Sequence, residues 1–182
     1  MSLAERMRVE IDDRAERLRN RYGDVSVCET TVENDPEFFA HGRELAEDGW
    51  LGDAGAFVTD GDGRALFIRH PNAPETWGVP GGGHEPGESH TETALREVRE
   101  ETGIECEITG VWCARRKTIV LETDREQRLH ALTVHFDARA METAGTSTDD
   151  EEVLEAKWFT NPPEPVFDFL EPKVEAWAHS EE

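Results

Sequence analysis

The chain has 182 residues, which is enough for one domain with a buried core. Its 41 acidic residues outnumber 19 basic ones, and the formal net charge is −22. This charge disfavours nonspecific binding to nucleic acids and to anionic membranes, because both need a basic surface. No apolar run approaches the roughly 18 residues of a membrane span, and the first residues do not resemble a signal peptide. We therefore expect a cytoplasmic protein.

The basic residues are almost all arginines, with only three lysines in the chain. An acidic, lysine-poor composition is similar to that of proteins from salt-loving archaea, where dissolved salt screens the self-repulsion. We favour a halophilic archaeal origin over the alternative, which is an acidic mesophilic protein with a solvated surface.

The first 49 residues are predicted to form an N-terminal helical extension. An apolar residue recurs every three or four positions, which indicates a helix over residues 3–21 with one buried stripe: Leu3, Met7, Ile11, Ala15 and Leu18. An extended segment over 25–32 follows, and Asp35-Pro36 begins a second helix that reaches about residue 47. We expect the stripe to pack on the main domain or on a second subunit, which would make a homodimer.

Residues 50–182 are predicted to form the main domain. Apolar runs over 54–59 and 65–69 flank Asp60-Gly61-Asp62-Gly63, a pattern typical of a β-hairpin. Strands are predicted over 105–114, 129–138 and 155–160, with a strand pair between the first two that turns near residues 123–124. A final helix is predicted over 165–178. Mixed strands flanked by helices indicate an α/β fold, specifically an α/β/α sandwich around a mixed β-sheet.

The segment 82–104 combines a glycine-rich turn with a short helix. Ser89 and Glu92 have the spacing of a capping box at the helix start, and Gly103 is placed to end the helix. Thr91, Leu95, Val98 and Thr102 share one side of this helix, which we expect to pack on the sheet.

The other side of this helix is predicted to be a carboxylate face. Glu97, Glu100 and Glu101 stand at i, i+3 and i+4, so they share that face and repel one another. Oxygen donors gathered in this way suit Mg²⁺ or Mn²⁺. A salt-bridged surface helix is the alternative for each residue taken singly.

These residues also fill the pattern G-x5-E-x7-R-E-U-x-E-E-x-G-U, in which U is apolar. All nine specified positions agree: Gly82, Glu88, Arg96, Glu97, Val98, Glu100, Glu101, Gly103 and Ile104. The pattern is the Nudix box, and the chain resembles the Nudix hydrolase family. The resemblance implies the α/β/α sandwich fold for roughly residues 50–178.

The resemblance also implies catalytic roles. Glu97 matches the glutamate that acts as general base or shares a metal ion, Arg96 matches the arginine that holds it, and Glu101 is a further catalytic residue. Glu88 matches a glutamate near the metal cluster. The implied cofactor is Mg²⁺ or Mn²⁺, held by Gly81, Glu97, Glu100 and Glu101.

A further glutamate from a distant loop often completes the metal site in this family. The acidic run 149–152 stands at the comparable place, so Glu151 or Glu152 is expected to supply it. An ordinary acidic surface run is an equally good interpretation of these residues.

Substrate recognition is less clearly marked in the sequence. Four arginines are candidates to grip a phosphate or a ribose: Arg69, Arg115, Arg116 and Arg128. Four aromatic residues could stack on a base or belong to the core: Trp50, Phe57, Trp112 and Phe136.

The resemblance implies hydrolysis of a phosphoanhydride bond in a small-molecule nucleotide, a nucleoside diphosphate linked to another moiety. ADP-ribose or a nucleotide sugar is favoured, because the N-terminal extension resembles that branch of the family. A sanitising hydrolase of oxidised or non-standard nucleoside triphosphates is the alternative enzyme. A non-catalytic nucleotide-binding regulator is disfavoured by the intact box, and an interaction protein that uses its acidic surface is the third class.

Overall fold

The computed structural model describes residues 1–142, 145–147 and 151–180. Its helices are α1 (Leu3–Tyr22), α2 (Pro36–Glu47), α3 (His90–Thr102), a 3₁₀ helix (Asp168–Leu170) and α4 (Glu171–Ser180). Its strands are β1 (Val27–Asn34), β2 (Gly52–Thr59), β3 (Ala65–Arg69), β4 (Gly81–Gly83), β5 (Cys106–Leu121), β6 (Asp124–Ala140) and β7 (Glu155–Phe159). No helix within the described residues is both long and apolar enough to cross a membrane.

The strands form one seven-stranded mixed sheet in the order β1-β5-β6-β2-β3-β7, and β4 pairs with β2. β1 runs parallel to β5, with Val27 opposite Ala114 and Asn34 opposite Leu121. β3 is antiparallel to both β2 and β7. The predicted α/β fold with a mixed sheet and flanking helices is confirmed.

The middle of the chain differs from the prediction. β5 and β6 are continuous strands of 16 and 17 residues, whereas the sequence suggested shorter strands with a separate pair between them. β1 lies alongside residues 114–121 over its whole length, so the charged second half of β5 has a partner for its backbone groups. The predicted turn near residues 123–124 is confirmed at its approximate place.

The chain forms two compact units, and each combines distant segments. Unit 1 contains residues 1–54, 83–93 and 111–135. Unit 2 contains residues 55–82, 94–110 and 136–182. The glutamates Glu97, Glu100 and Glu101 all belong to unit 2.

In unit 1 the predicted stripe of α1 is buried at Met7, Ile11, Ala15 and Leu18. Arg14, on the same helix, donates from Nη1 to the carbonyl of Glu88 at 2.9 Å, and its Nη1 lies 3.3 Å from Nδ1 of His90. His90 in turn donates from Nε2 to the Leu132 carbonyl at 2.7 Å. Burial lowers the pKa of His90 to about 4, so its ring is neutral near pH 7. α1 is therefore bonded to the segment that leads into α3.

The core of unit 2 is built around Phe67. Phe57 and Phe159 both make edge-to-face contacts with this ring, and Trp177 lies 6.0 Å from it. Leu170, Val174 and Trp177 are buried near the end of the chain, where α4 begins only at residue 171 rather than at the predicted residue 165. Phe57 therefore belongs to the core, as Phe136 does at 0% exposure.

Candidate active site

α3 begins and ends where the sequence predicts. The Ser89 hydroxyl accepts the backbone N–H of Glu92 at 3.1 Å, and the Glu92 carboxylate accepts the backbone N–H of Ser89 at 2.7 Å. Gly103 has a φ of +72°, which favours glycine, and its N–H donates to the Arg99 carbonyl at 2.9 Å. α3 therefore spans all three glutamates, Glu97, Glu100 and Glu101.

Arg96 bridges two of the three glutamates. Its Nη1 donates to Oε1 of Glu97 at 2.7 Å and to Oε2 of Glu100 at 3.2 Å. The side chains of Arg96 and Glu97 are each only 14% exposed, whereas that of Glu100 is 49% exposed. Arg96 therefore fixes the position of Glu97 more firmly than that of Glu100.

The Glu97 carboxyl has a raised pKa. Burial is the largest cause, and the charges of Glu100 and Glu152 raise the pKa further. The hydrogen bond and the positive charge of Arg96 oppose these effects. The raised pKa makes this largely buried carboxylate a stronger proton acceptor than a free glutamate.

The backbone at Gly82 runs directly against Glu97. A Cβ atom at this position would lie 2.6 Å from both Cδ and Oε1 of Glu97. Real Cβ atoms essentially never approach another atom so closely. The lack of space at Gly82, rather than an unusual φ angle, therefore favours glycine, because a larger residue would displace the Glu97 carboxyl.

Glu101 is buried, and this corrects the sequence analysis. The prediction placed Glu101 on a carboxylate face opposite the packed side of α3, yet the residue is 2% exposed, beside the buried Val98 and Thr102. The Gly81 backbone N–H donates to its Oε2 at 2.8 Å, so the glycine segment covers this part of the helix. Buried carboxylates need such a partner. Thr91 and Leu95, expected on the packed side, are only partly buried.

Both predicted loop glutamates are among the described residues. Residues 149 and 150 of the acidic run lie outside the described residues, while Glu151 and Glu152 are described and exposed. The negative charge of Glu152 contributes to the raised pKa of Glu97. The backbone carbonyl of Glu152 also lies 2.7 Å from Nδ1 of His70.

Glu88 has a local structural role in unit 1. Its Oε2 accepts the Thr93 hydroxyl at 2.8 Å and the backbone N–H of Glu85 at 3.1 Å. These bonds shape the loop that precedes α3.

Arg69 is held by groups of the protein. It forms an ion pair with Glu155, donates from Nη1 to the Pro74 carbonyl at 3.0 Å, and lies 4.8 Å from the ring centre of Trp77. Its Nε is buried and makes no hydrogen bond within the described residues. A substrate role for Arg69 stays a prediction.

The other three predicted arginines belong to unit 1. Arg116 is paired with Asp12 at 2.8 Å and with Glu29 at 3.3 Å. Arg128 donates from Nη2 to the Arg125 carbonyl at 3.2 Å. Burial is the main cause that lowers the pKa of His135 to about 4, and the positive charge of Arg115 lowers this pKa further. Their roles in substrate binding also stay predictions.

Sequence reasoning missed two residues, His70 and Asp53. Nε2 of His70 lies 3.6 Å from Oε1 of Glu101. No local sequence pattern predicts this proximity. In unit 1, burial raises the pKa of Asp53, while the charge of Lys117 and a hydrogen bond from Trp50 lower it. Trp50 and Asp53 stand about 4 Å from the place of a Cβ at Gly83. A partly buried acid beside an indole is a candidate group for recognising a polar ligand.

Glu97, Glu100 and Glu101, here called the Glu97 cluster, have the chemistry that fits a hard divalent cation. Carboxylate oxygens are the preferred ligands of Mg²⁺ and Mn²⁺. Burial is the main cause of the raised pKa of Glu97, and the charges of Glu100 and Glu152, which add to it, are ones that such an ion would offset. Arg96 supplies positive charge between Glu97 and Glu100 in this structure. Across the part of the chain that the structure describes, no three His, Cys, Asp or Glu side chains are already gathered as a ligand set.

Two curated relatives give the chemical context. An RNA pyrophosphohydrolase from Teredinibacter turnerae is 31% identical over 87 residues, which are 44% of this chain and 51% of that protein. The nucleoside triphosphatase NudI from an Enterobacter species is 35% identical over 92 residues, 48% of this chain and 63% of that protein. The chain thus spans less than two thirds of the length of either relative.

A MutT protein from Methanosarcina mazei shares the fold. Its crystal structure superposes with a TM-score of 0.53 at 22% identity, over 72% of this chain and 95% of that one. The model of the NUDIX domain matches residues 51–167, which is more than half of the chain and includes the whole box. This protein belongs to the Nudix family.

Proposed function

We propose that the protein is a divalent-metal-dependent hydrolase that cleaves a phosphoanhydride bond in a small nucleotide. The environment of Glu97 carries this proposal: its side chain is only 14% exposed, has a raised pKa, is held by Arg96 and lies against the Gly82 backbone. A surface salt bridge would need neither the burial nor the close approach of the backbone.

In this proposal Glu97 is the general base. It accepts a proton from the attacking water as the new P–O bond forms and the bond to the leaving phosphate breaks. Arg96 keeps the Glu97 carboxylate ionised and oriented for this transfer. The Gly81 N–H holds the buried Glu101 carboxylate in place.

The ion would be held by Glu97, Glu100, Glu101, the Gly81 carbonyl and Glu152. When bound, Mg²⁺ or Mn²⁺ supplies positive charge for the diphosphate oxygens and lowers the pKa of a bound water. A chain with a net charge of −22 needs such a mediator to accept an anionic substrate.

The favoured substrate class is a nucleoside diphosphate linked to another moiety, such as ADP-ribose or a nucleotide sugar. The N-terminal extension, which contributes α1 and β1, supports this choice. A nucleoside triphosphate is the second candidate, and the similarity to a protein named as a nucleoside triphosphatase favours it. Both classes present the same phosphoanhydride to the Glu97 cluster.

Turnover of a substrate panel tests the proposal. ADP-ribose, a UDP-sugar, nucleoside triphosphates and a 5′-triphosphorylated RNA oligonucleotide are incubated with Mg²⁺ or Mn²⁺, and phosphate-containing products are quantified. We expect metal-dependent release from at least one small nucleotide and little turnover of the RNA, because the acidic surface repels it. Lack of turnover on every substrate, with tight nucleotide binding, would instead indicate a regulator.

Glu97→Gln is the matching variant. It should lower kcat about 100-fold to 10,000-fold, the usual contribution of a general base. Glu107→Gln removes an exposed carboxylate of β5 and serves as the control. Full activity in Glu97→Gln would contradict the assignment of the base.

We also propose that the protein works at high salt, in keeping with a halophilic origin. Its net charge of −22 makes the folded chain repel itself, and dissolved ions screen this repulsion. The melting temperature should therefore rise between about 0.1 and 2 M KCl. A melting temperature that is flat or falls over this range would favour the mesophilic alternative.

A further inference from the structure

His70 lies directly after β3 and is bonded to the segment that carries Glu152. Its Nδ1 is 2.7 Å from the Glu152 carbonyl oxygen. A carbonyl can only accept a hydrogen bond, so Nδ1 carries the proton and donates it. This bond exists in the neutral Nδ1–H ring and in the cation alike, so it does not depend on the charge of the ring.

The same ring faces Glu101 on its other side. Nε2 lies 3.6 Å from Oε1 of Glu101, which is too long for a hydrogen bond. The second Glu101 oxygen, Oε2, is taken by the Gly81 N–H. The His70 ring is therefore placed between a buried carboxylate of α3 and the backbone of residue 152.

Neighbouring contacts anchor the chain just beyond Glu152. The Leu154 N–H donates to the Arg69 carbonyl at 2.8 Å, and Glu155 pairs with the Arg69 side chain. These contacts start the pairing of β7 with β3. The hydrogen bond of His70 fixes the backbone of residue 152 as well. The charge of Glu152 raises the pKa of Glu97.

We propose that His70 is a positioning residue: its Nδ1–H bond to the Glu152 carbonyl holds the Glu152 carboxylate beside Glu97, where it joins the metal ligands. The inference rests on the proposed function for the metal, and it assigns His70 no contact with the reacting atoms. His70 would matter because Glu152 stands on an exposed segment, which a hydrogen bond can order.

Two substitutions distinguish the contact of Nδ1 with residue 152 from the contact of Nε2 with Glu101. In His70→Asn the amide nitrogen takes the place of Nδ1 and can still donate to the Glu152 carbonyl. In His70→Gln the amide reaches toward the place of Nε2 instead, and the bond to residue 152 is lost. His70→Ala removes both sides, and His41→Asn on the exposed part of α2 is the control.

The first measurement is the affinity of the nucleotide-free protein for Mn²⁺, followed by electron paramagnetic resonance. We expect His70→Ala and His70→Gln to bind Mn²⁺ about fivefold to tenfold more weakly, the size of one modest hydrogen bond. His70→Asn should stay within about twofold of the wild type, because it keeps the donor. The kcat measured on the best panel substrate should follow the same order.

A double-mutant cycle supplies the decisive test. If His70 acts through Glu152, His70→Ala should cause no further loss of Mn²⁺ affinity in a Glu152→Gln background. Additive losses, or wild-type Mn²⁺ affinity in His70→Ala, would overturn the inference. Rescue by Gln rather than Asn would overturn it too, since the Glu101 side would then matter.

The two proposals fail differently. A wild-type protein that binds Mn²⁺ but hydrolyses no nucleotide would refute the proposed function, while the Mn²⁺ affinities would still decide the role of His70. If His70→Ala unfolds, the comparison of His70→Asn with His70→Gln decides the question, because both retain a polar side chain of similar size.

Discussion

Gly82→Ala should disable the protein without unfolding it. The added methyl carbon would lie 2.6 Å from Cδ and Oε1 of Glu97 and 2.7 Å from Oε2. An ordinary contact at this site begins near 3.4 Å, so the Glu97 carboxyl must move by about 1 Å. A misplacement of about 1 Å can reduce turnover about 100-fold. Glu97 is the end of a flexible side chain, so the backbone need not move.

The displacement should also weaken the bond between Glu97 and Arg96. That bond is 2.7 Å long and largely shielded from solvent, and charge-assisted bonds of this kind contribute about 1.5–3 kcal/mol. We expect kcat to fall about 100-fold with a smaller change in KM for the nucleotide, because the displaced carboxylate is the proposed base for the attacking water. Steady-state kinetics and thermal unfolding of the same preparations measure both effects.

Gly61→Ala is the matched control for this prediction. Gly61 lies in the turn between β2 and β3, has no atom within 4 Å of its hypothetical Cβ, and lacks a positive φ. It should keep wild-type kcat and stability. The reasoning is refuted if Gly82→Ala retains kcat within about threefold, or if its loss of activity simply follows a loss of folded protein.

Three further predictions concern charge and burial. Arg96→Gln should raise the pKa of Glu97 further in the metal-free protein, because burial then acts without an opposing cation, and a carbon-13 NMR titration of the carboxyl measures it. Glu101→Ala should cost about 1–3 kcal/mol in urea unfolding because the Gly81 N–H loses its acceptor, whereas Glu101→Gln should stay near the wild-type value yet bind Mn²⁺ poorly. For His90, the folded-state pKa of about 4 lies below the ordinary histidine value of 6.5, so the unfolded chain binds the proton at a higher pH than the folded chain does. The contribution of His90 to the free energy of unfolding is therefore fully present above about pH 6.5. It is lost as the pH falls towards 4, and the loss is at most about 3 kcal/mol. In His90→Asn this part of the pH dependence should disappear.

Local patterns specified the helix that carries the glutamates. The Ser89 capping box and the Gly103 stop depend on residues within four positions of each other, so the sequence contains all the information needed. The buried stripe of α1 was predictable for the same reason, since its period alone defines the face.

The surroundings of Glu101 and His70 were not predictable in this way. Helical period places Glu101 near Glu97, but its burial depends on the Gly81 backbone, which lies about twenty residues away. His70 meets residue 152 across an even longer separation. Such contacts follow from the order of the strands, and a single sequence does not state that order.

The parallel pairing of β1 with β5 has a consequence for how the chain can be shortened. Eight residues from the N-terminal extension cover one edge of β5, from residue 114 to residue 121. Deleting the segment before residue 50 would bare the N–H and C=O groups along that edge, and an open strand edge invites pairing with another chain. β1 is itself the end strand of the sheet, so the extension moves the open edge from β5 to β1. β1 carries Glu29 and Glu33, and charged side chains on an edge strand disfavour pairing with another chain.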